Sequence, residues 1–256
     1  MLTRLKTRIK ARLNQYIHDN FVQFKKVDAE TFENWIYQWM YFQNFEYVKA
    51  YTPQNTYFEF GTGWGGTLSG FLKACNRLAK DHNFDLREVK IVLFDSFKGL
   101  PEEKDPADFN PEWEKGKFAY SRDYITKIIL DHNFPLENVT FIEGYYEDTL
   151  NESTMEIIKN LPPPSIVTMD VDYYSSTKIA LDFIQPLLKS GTVFYFDDLY
   201  SFHLHPKMGQ VRAINELNSK NNGHLVPLVH MNYCGRGYIY TNRVWEYSNK
   251  DSFNYS

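Results

Sequence analysis

A chain of 256 residues with 43% hydrophobic and 23% charged residues can bury a core and is not of a disordered type. Its length suits one α/β domain, and its net charge of −4 argues against a general nucleic-acid binder. The two cysteines, Cys75 and Cys234, give neither a disulfide framework nor zinc spacing and fit a reducing cytoplasm, while no apolar run is long enough to span a bilayer or to form a signal peptide core.

Residues 1–26 carry Arg4, Lys6, Arg8, Lys10, Arg12, Lys25 and Lys26 against Asp19 alone. Leu2, Leu5, Ile9, Leu13, Tyr16 and Ile17 fall at helical spacing, which predicts a basic amphipathic helix. Such a stripe packs on the domain or on a second subunit; a weak contact with an anionic membrane surface is the alternative. Residues 31–51 hold nine aromatic rings, Phe32, Trp35, Tyr37, Trp39, Tyr41, Phe42, Phe45, Tyr47 and Tyr51, on every face of any helix drawn there. A segment of that kind must be covered on several sides, which predicts either a cap on an active site or a buried interface in a homo-oligomer, a dimer.

An alternating pattern follows. Strands are expected at Thr56–Phe60, Lys90–Phe94, Val139–Ile142, Ile166–Met169, Thr192–Phe196, Leu225–Val229 and Gly237–Thr241. Helices are expected at Thr67–Lys80, Ser121–Asp131, Ser153–Asn160, Ser176–Leu188 and Met208–Ser219. Pro101–Gly116 reads as a loop, a lid or an insertion. Strands alternating with helices imply an α/β fold with a mostly parallel seven-stranded sheet and helices on both faces.

Three stretches carry chemistry. The first strand runs into Gly61, Gly63, Gly65 and Gly66, which let the backbone turn tightly and approach a ligand. Glu59, inside that strand, suits a ligand with a cationic part. The spacing is neither the dinucleotide fingerprint nor a Walker loop. The second strand ends at Asp95-Ser96, where an acid can accept both hydroxyls of a ribose or cap a turn. The third stretch is Asp170-Val171-Asp172, followed one crossover later by Asp197-Asp198. Four like charges at neighbouring strand ends need a cation, a basic side chain or protons. Neither half contains Lys or Arg, which favours a hard divalent ion with oxygen ligands over two of the four serving as caps. His203, His205 and Arg212 lie just beyond and either flank a substrate or sit on the surface.

The glycine loop, Phe94-Asp95-Ser96-Phe97-Lys98-Gly99-Leu100-Pro101, Asp170-Val171-Asp172-Tyr173-Tyr174-Ser175-Ser176-Thr177 and Asp197-Asp198 resemble the macrocin O-methyltransferase family over roughly residues 55–220. Lys98 stands where that family commonly has an acid. The resemblance implies a Rossmann-like class I methyltransferase domain, bounded at 53–256; residues 1–52, outside the resemblance, are expected to form a helical extension. It implies Mg²⁺-dependent methyl transfer from S-adenosylmethionine to a hydroxyl of a sugar, a glycosylated small molecule or a glycan. By the same resemblance Glu59, Gly61 and Gly63 contact the methionine part of the cofactor, Asp95 and Ser96 the ribose, and Glu143 and Tyr145 lie by the adenine. Asp170, Asp197 and Asp198 hold Mg²⁺, and Asp172 is the base. The alternatives are a relative acting on a non-sugar small molecule, a hydroxylase-type relative, or a partner protein that only binds the cofactor.

Overall fold

The computed structural model describes residues 30–46, 55–220, 223–230 and 235–242. The basic helix expected over 1–26 lies outside the described residues, as does the segment 47–54 at the expected domain boundary.

Helix α1 (described from residue 30 to 41) ends in a π-helical turn, Phe42–Glu46. Seven strands follow: β1 (Thr56–Phe60), β2 (Lys90–Asp95), β3 (Val139–Glu143), β4 (Pro164–Met169), β5 (Val193–Phe196), β6 (His224–His230) and β7 (Arg236–Thr241). Between them run α2 (Gly66–His82), α3 (Arg122–Asp131), the short α4 (Tyr146–Thr149) and α5 (Glu152–Ile158), α6 (Tyr174–Ile184) and α7 (Gly209–Ser219). The sheet order is β3-β2-β1-β4-β5-β7-β6. The pairs from β3 to β5 are parallel, and β7 alone runs against its neighbours. The expected mostly parallel seven-stranded sheet is what forms.

Strand residues alternate between two apolar layers, as a strand covered on both faces requires. Phe58, Phe60, Val167, Met169, Phe194 and Phe196 face the layer built with α6 and α7. Tyr57, Ile166, Val193 and Tyr195 face the layer built with α1, α2 and α3. Helix α1 enters that layer through Phe32, Ile36 and Met40, all nearly fully buried and spaced four apart. In the described part of the ring-rich segment Trp35, Tyr37, Trp39 and Tyr41 pack partly buried against the same layer, and Phe45 is 44% exposed. Among the described residues no helix is long and apolar enough to cross a membrane.

Two local differences from the sequence expectation have clear causes. Helix α6 begins at Tyr174 rather than Ser176 because its cap comes from elsewhere: Asp108 Oδ1 accepts from the Ser175 amide at 2.9 Å. Pro186 then closes the helix into a 3₁₀ turn, Gln185–Leu187. The segment 101–116 is no free flap. Asp108 Oδ2 also takes the Lys104 and Asp105 amides, Asp105 pairs with Arg212 at 2.9 Å, and Trp113 packs edge-on against Tyr173 and Phe202.

Candidate active site at the carboxyl ends of the central strands

The sheet reverses direction of growth between β1 and β4, and ligands of open α/β sheets bind outside the carboxyl ends at such a point. Parallel register aligns Phe60 with Phe94 on one side and with Met169 on the other, and Met169 with Phe196. The next residues therefore form a row: Asp95, Gly61, Asp170 and Asp197. Backbone bonds extend the sheet into it, from the Gly61 amide to Phe94 O at 2.9 Å, from Asp170 to Phe60 O at 2.9 Å and from Asp197 to Met169 O at 3.2 Å.

Gly61 has a φ of +76°, and a Cβ there would lie 1.9 Å from the Asp170 carbonyl oxygen. Its lack of a side chain lets β1 close on β4, so the first demand on this glycine is protein packing. Gly63, at φ +44°, has nothing within 4 Å of a built Cβ and leaves the loop open on its outer side. Beneath the loop Glu59 is wholly buried. Thr67 donates to its Oε1 at 2.5 Å, and Tyr57 Oη lies 2.8 Å from Oε2 and 2.9 Å from Thr168 Oγ1. Burial pushes the Glu59 carboxyl up to about 8, against the pull of the Thr67 and Tyr57 hydrogen bonds.

Asp95 fixes the same loop from the other strand. Its Oδ2 accepts from Thr62 N at 2.6 Å and Thr62 Oγ1 at 2.8 Å, and its Oδ1 accepts from Phe97 N at 2.7 Å. One lone pair on Oδ1 stays available to a hydroxyl. Ser96 is used inside its own turn, donating to Gly99 O and accepting from Lys98 N, both at 3.0 Å. Glu143 is exposed and lies 3.5 Å from Arg122, while Tyr145 caps the start of α4. These two stand beyond Asp95 on the rim.

The acidic residues converge. One oxygen from each of Asp170, Asp197 and Asp198 lies within 4.8 Å of the others. Asp198 Oδ1 accepts from Ser201 Oγ at 3.3 Å, whereas its buried Oδ2 has no hydrogen-bond partner. An unpartnered buried carboxylate oxygen is costly, and three carboxylates at this spacing match the oxygen ligands of a hard divalent cation. Burial raises the Asp170 carboxyl well above its usual range, with Asp197 and Asp198 next among the causes. Asp198 is raised by burial and then by Asp172 and Asp197. Asp172 is pushed up to about 7 by burial and by Asp197. It sits at φ +58°, and the Tyr173 amide bonds back to Val171 O at 2.5 Å. That is a classic γ-turn, a strained form concentrated at functional sites. The turn swings Asp172 out of the line of β4.

Residues 54–231 match the family model for macrocin-O-methyltransferase, TylF. The chain belongs to that family. It is an O-methyltransferase. Its fold resembles the calicheamicin methyltransferase CalS11, at 21% identity and TM-score 0.58 over 81% of this chain and 77% of that one. It also resembles the O-methyltransferase NovP, at 20% identity and TM-score 0.60 over 83% and 80% of the two chains. No curated protein matches it significantly.

Several residues of this methyltransferase site gave no sequence signal. Gln210, 1% exposed in α7, donates to Met169 O at 2.9 Å and accepts from Asp198 N at 3.1 Å, joining the ends of β4 and β5. Tyr146 rather than Tyr145 reaches inward: its hydroxyl donates to Phe94 O at 3.1 Å, and its ring stands edge-on to Phe60. Burial, followed by the charges of Asp95 and Asp170, raises the Tyr146 phenol. Arg212 turns away from the acids to pair with Asp105 and Glu216 and to lie 3.9 Å over the Tyr174 ring. His203 and His205 are exposed.

Proposed function

We propose that the protein transfers a methyl group from S-adenosylmethionine to a hydroxyl of a sugar, a glycosylated small molecule or a glycan, with Mg²⁺ at the acidic cluster. The observation that carries this reading is the meeting of Asp170, Asp197 and Asp198, with an unpartnered buried oxygen on Asp198, beside the glycine loop. A sugar acceptor is supported by the family and by the likeness, at 18% identity and TM-score 0.53, to a TDP-rhamnose 3'-O-methyltransferase. The catalytic domain is placed at 53–256 in the cytoplasm. The extension 1–52 is assigned as a cap on the site or a contact with a second copy, with a weak membrane-surface contact through its basic helix as the lesser role.

Asp170, Asp197 and Asp198 hold the ion. Bound there, Mg²⁺ supplies Lewis acidity that makes an alcohol proton easier to remove. S-adenosylmethionine, held along the glycine loop and Asp95, would supply the methyl group and leave as the neutral thioether. Gly61 and Gly63 line the methionine part, with Glu59 acting on it from beneath the loop. Asp95 accepts a ribose hydroxyl on its remaining Oδ1 lone pair, and Ser96 shapes the turn beside it. Glu143 and Tyr145 stand by the adenine. Asp172, turned out of β4 at φ +58° beside the cluster, takes the acceptor proton.

The reading is tested by incubation with methyl-labelled S-adenosylmethionine and a panel of sugar acceptors. Label should pass to a sugar, stop with EDTA and return with Mg²⁺. Asp172→Asn should bind both groups yet lose at least about 100-fold in turnover. Transfer that ignores the chelator removes the metal from the reading, and an active Asp172→Asn removes the base.

A further inference from the structure

Tyr195 lies in the middle of β5 and is 1% exposed. Two positions on, across one strand period, stands Asp197. The Tyr195 hydroxyl donates to Asp197 Oδ1. The ring is held on several sides. Phe32 of α1 meets it edge-on, with centroids 5.0 Å apart at 62°. A Cβ at Gly235, where the chain enters β7, would stand 2.4 Å from its hydroxyl oxygen. In the sheet its direct neighbours are Thr168 and Gly237. Swinging the ring aside would mean moving α1 or the start of β7.

We propose that Tyr195 is a positioning residue for Asp197, fixing the orientation of its carboxylate toward the cation shared with Asp170 and Asp198. This rests on the metal reading given above. A carboxylate on a strand end can rotate about its side-chain bonds, and among like charges it turns away. A hydrogen bond to a rigid donor stops that rotation and holds the carboxylate in the direction of the cluster. Partners of this kind commonly matter 10- to 100-fold in metal affinity. The proposal gives α1 a part in the site: Phe32 braces the ring that aims the ligand.

The test uses the full chain and Mn²⁺ as the probe, with free Mn²⁺ read by electron paramagnetic resonance. Tyr195→Phe should bind Mn²⁺ about 10- to 100-fold more weakly, while its affinity for S-adenosylhomocysteine and its unfolding midpoint stay near the parent values. Adding Tyr195→Phe to Asp197→Asn should cost little more, because the hydroxyl acts through that carboxylate. Binding by Tyr195→Phe within threefold of the parent overturns the proposal. So does a full Tyr195→Phe penalty in the Asp197→Asn background. A parent protein that binds no Mn²⁺ overturns the metal reading itself, a result distinct from the other two. Should Tyr195→Phe not fold, Phe32→Leu carries the test, since it keeps the hydroxyl and loosens the ring: weaker Mn²⁺ binding supports the role, and unchanged binding overturns it.

Discussion

Beneath the glycine loop, burial makes Glu59 hold its proton at neutral pH, with a carboxyl at about 8 in the folded chain against an ordinary 4.5. A carboxyl raised on folding binds its proton more tightly in the native state. Its contribution is complete below about 4.5 and is lost as pH rises through about 8. In that window native stability falls with pH, by at most about 1.4 kcal/mol per unit from this one group. Glu59→Gln keeps the shape of the neutral acid and can still bond to Tyr57 and Thr67. Urea midpoints taken from pH 5 to pH 9 should fall for the parent relative to Glu59→Gln. A constant difference between the two would show that Glu59 is not held neutral. The same residue shows what a sequence leaves out. An acid inside an apolar strand signals a special site, but its side of the sheet and its three hydroxyl neighbours depend on register. Thr168 joins it from 109 positions away only because β1 lies beside β4.

Among the elements, α6 depends most on a distant residue. Its N-terminus has no side-chain cap of its own, and the Asp108 carboxylate serves instead. The same carboxylate holds the amides of Lys104 and Asp105. Asp108→Ala leaves three amides short of an acceptor in a place that is 0% exposed. A lost cap and unmet buried donors together should cost about 2–3 kcal/mol of stability, measurable by chemical denaturation. A loss under 0.5 kcal/mol would mean that water replaces the carboxylate without strain. Sequence reading starts α3 at Ser121, and the structure makes that residue its cap, since a local cap lies next to its helix. It could not find Asp108, which sits among Pro, Asp and Glu residues that resemble any surface loop. The four aspartates were legible because each pair stops a strongly apolar run. Gln210, Tyr146 and Tyr195 were not, since a polar side chain within a helix or strand reveals its partner only once the elements are stacked.

For the whole molecule, the α/β class and the mostly parallel sheet could be read from the alternation of strands and helices. The order of strands could not: nothing in the pattern of β5, β6 and β7 says that β7 inserts antiparallel between the other two. Nor could the seat of α1, whose rings point all round while Phe32, Ile36 and Met40 are the side chains it buries almost completely. Burying each such side chain is worth about 1.5–3 kcal/mol. Removing residues 1–52 should therefore cost several kcal/mol and uncover an apolar face. The shortened protein is expected to aggregate or melt well below the full chain in a thermal scan; an equal melting temperature would show that 53–256 folds unaided. The row of site residues at the carboxyl ends has one more consequence, in time rather than space. Its members arrive from strands whose hydrogen-bonded side chains Tyr57 and Thr168 are 111 positions apart. Pairings so distant in the chain are slow to form. The repulsion among the aspartates is thus met only after most of the sheet has assembled. In metal-free protein that charge should mainly hasten unfolding and barely delay folding, so a cation arriving at the end lengthens the life of the native state more than it speeds its birth.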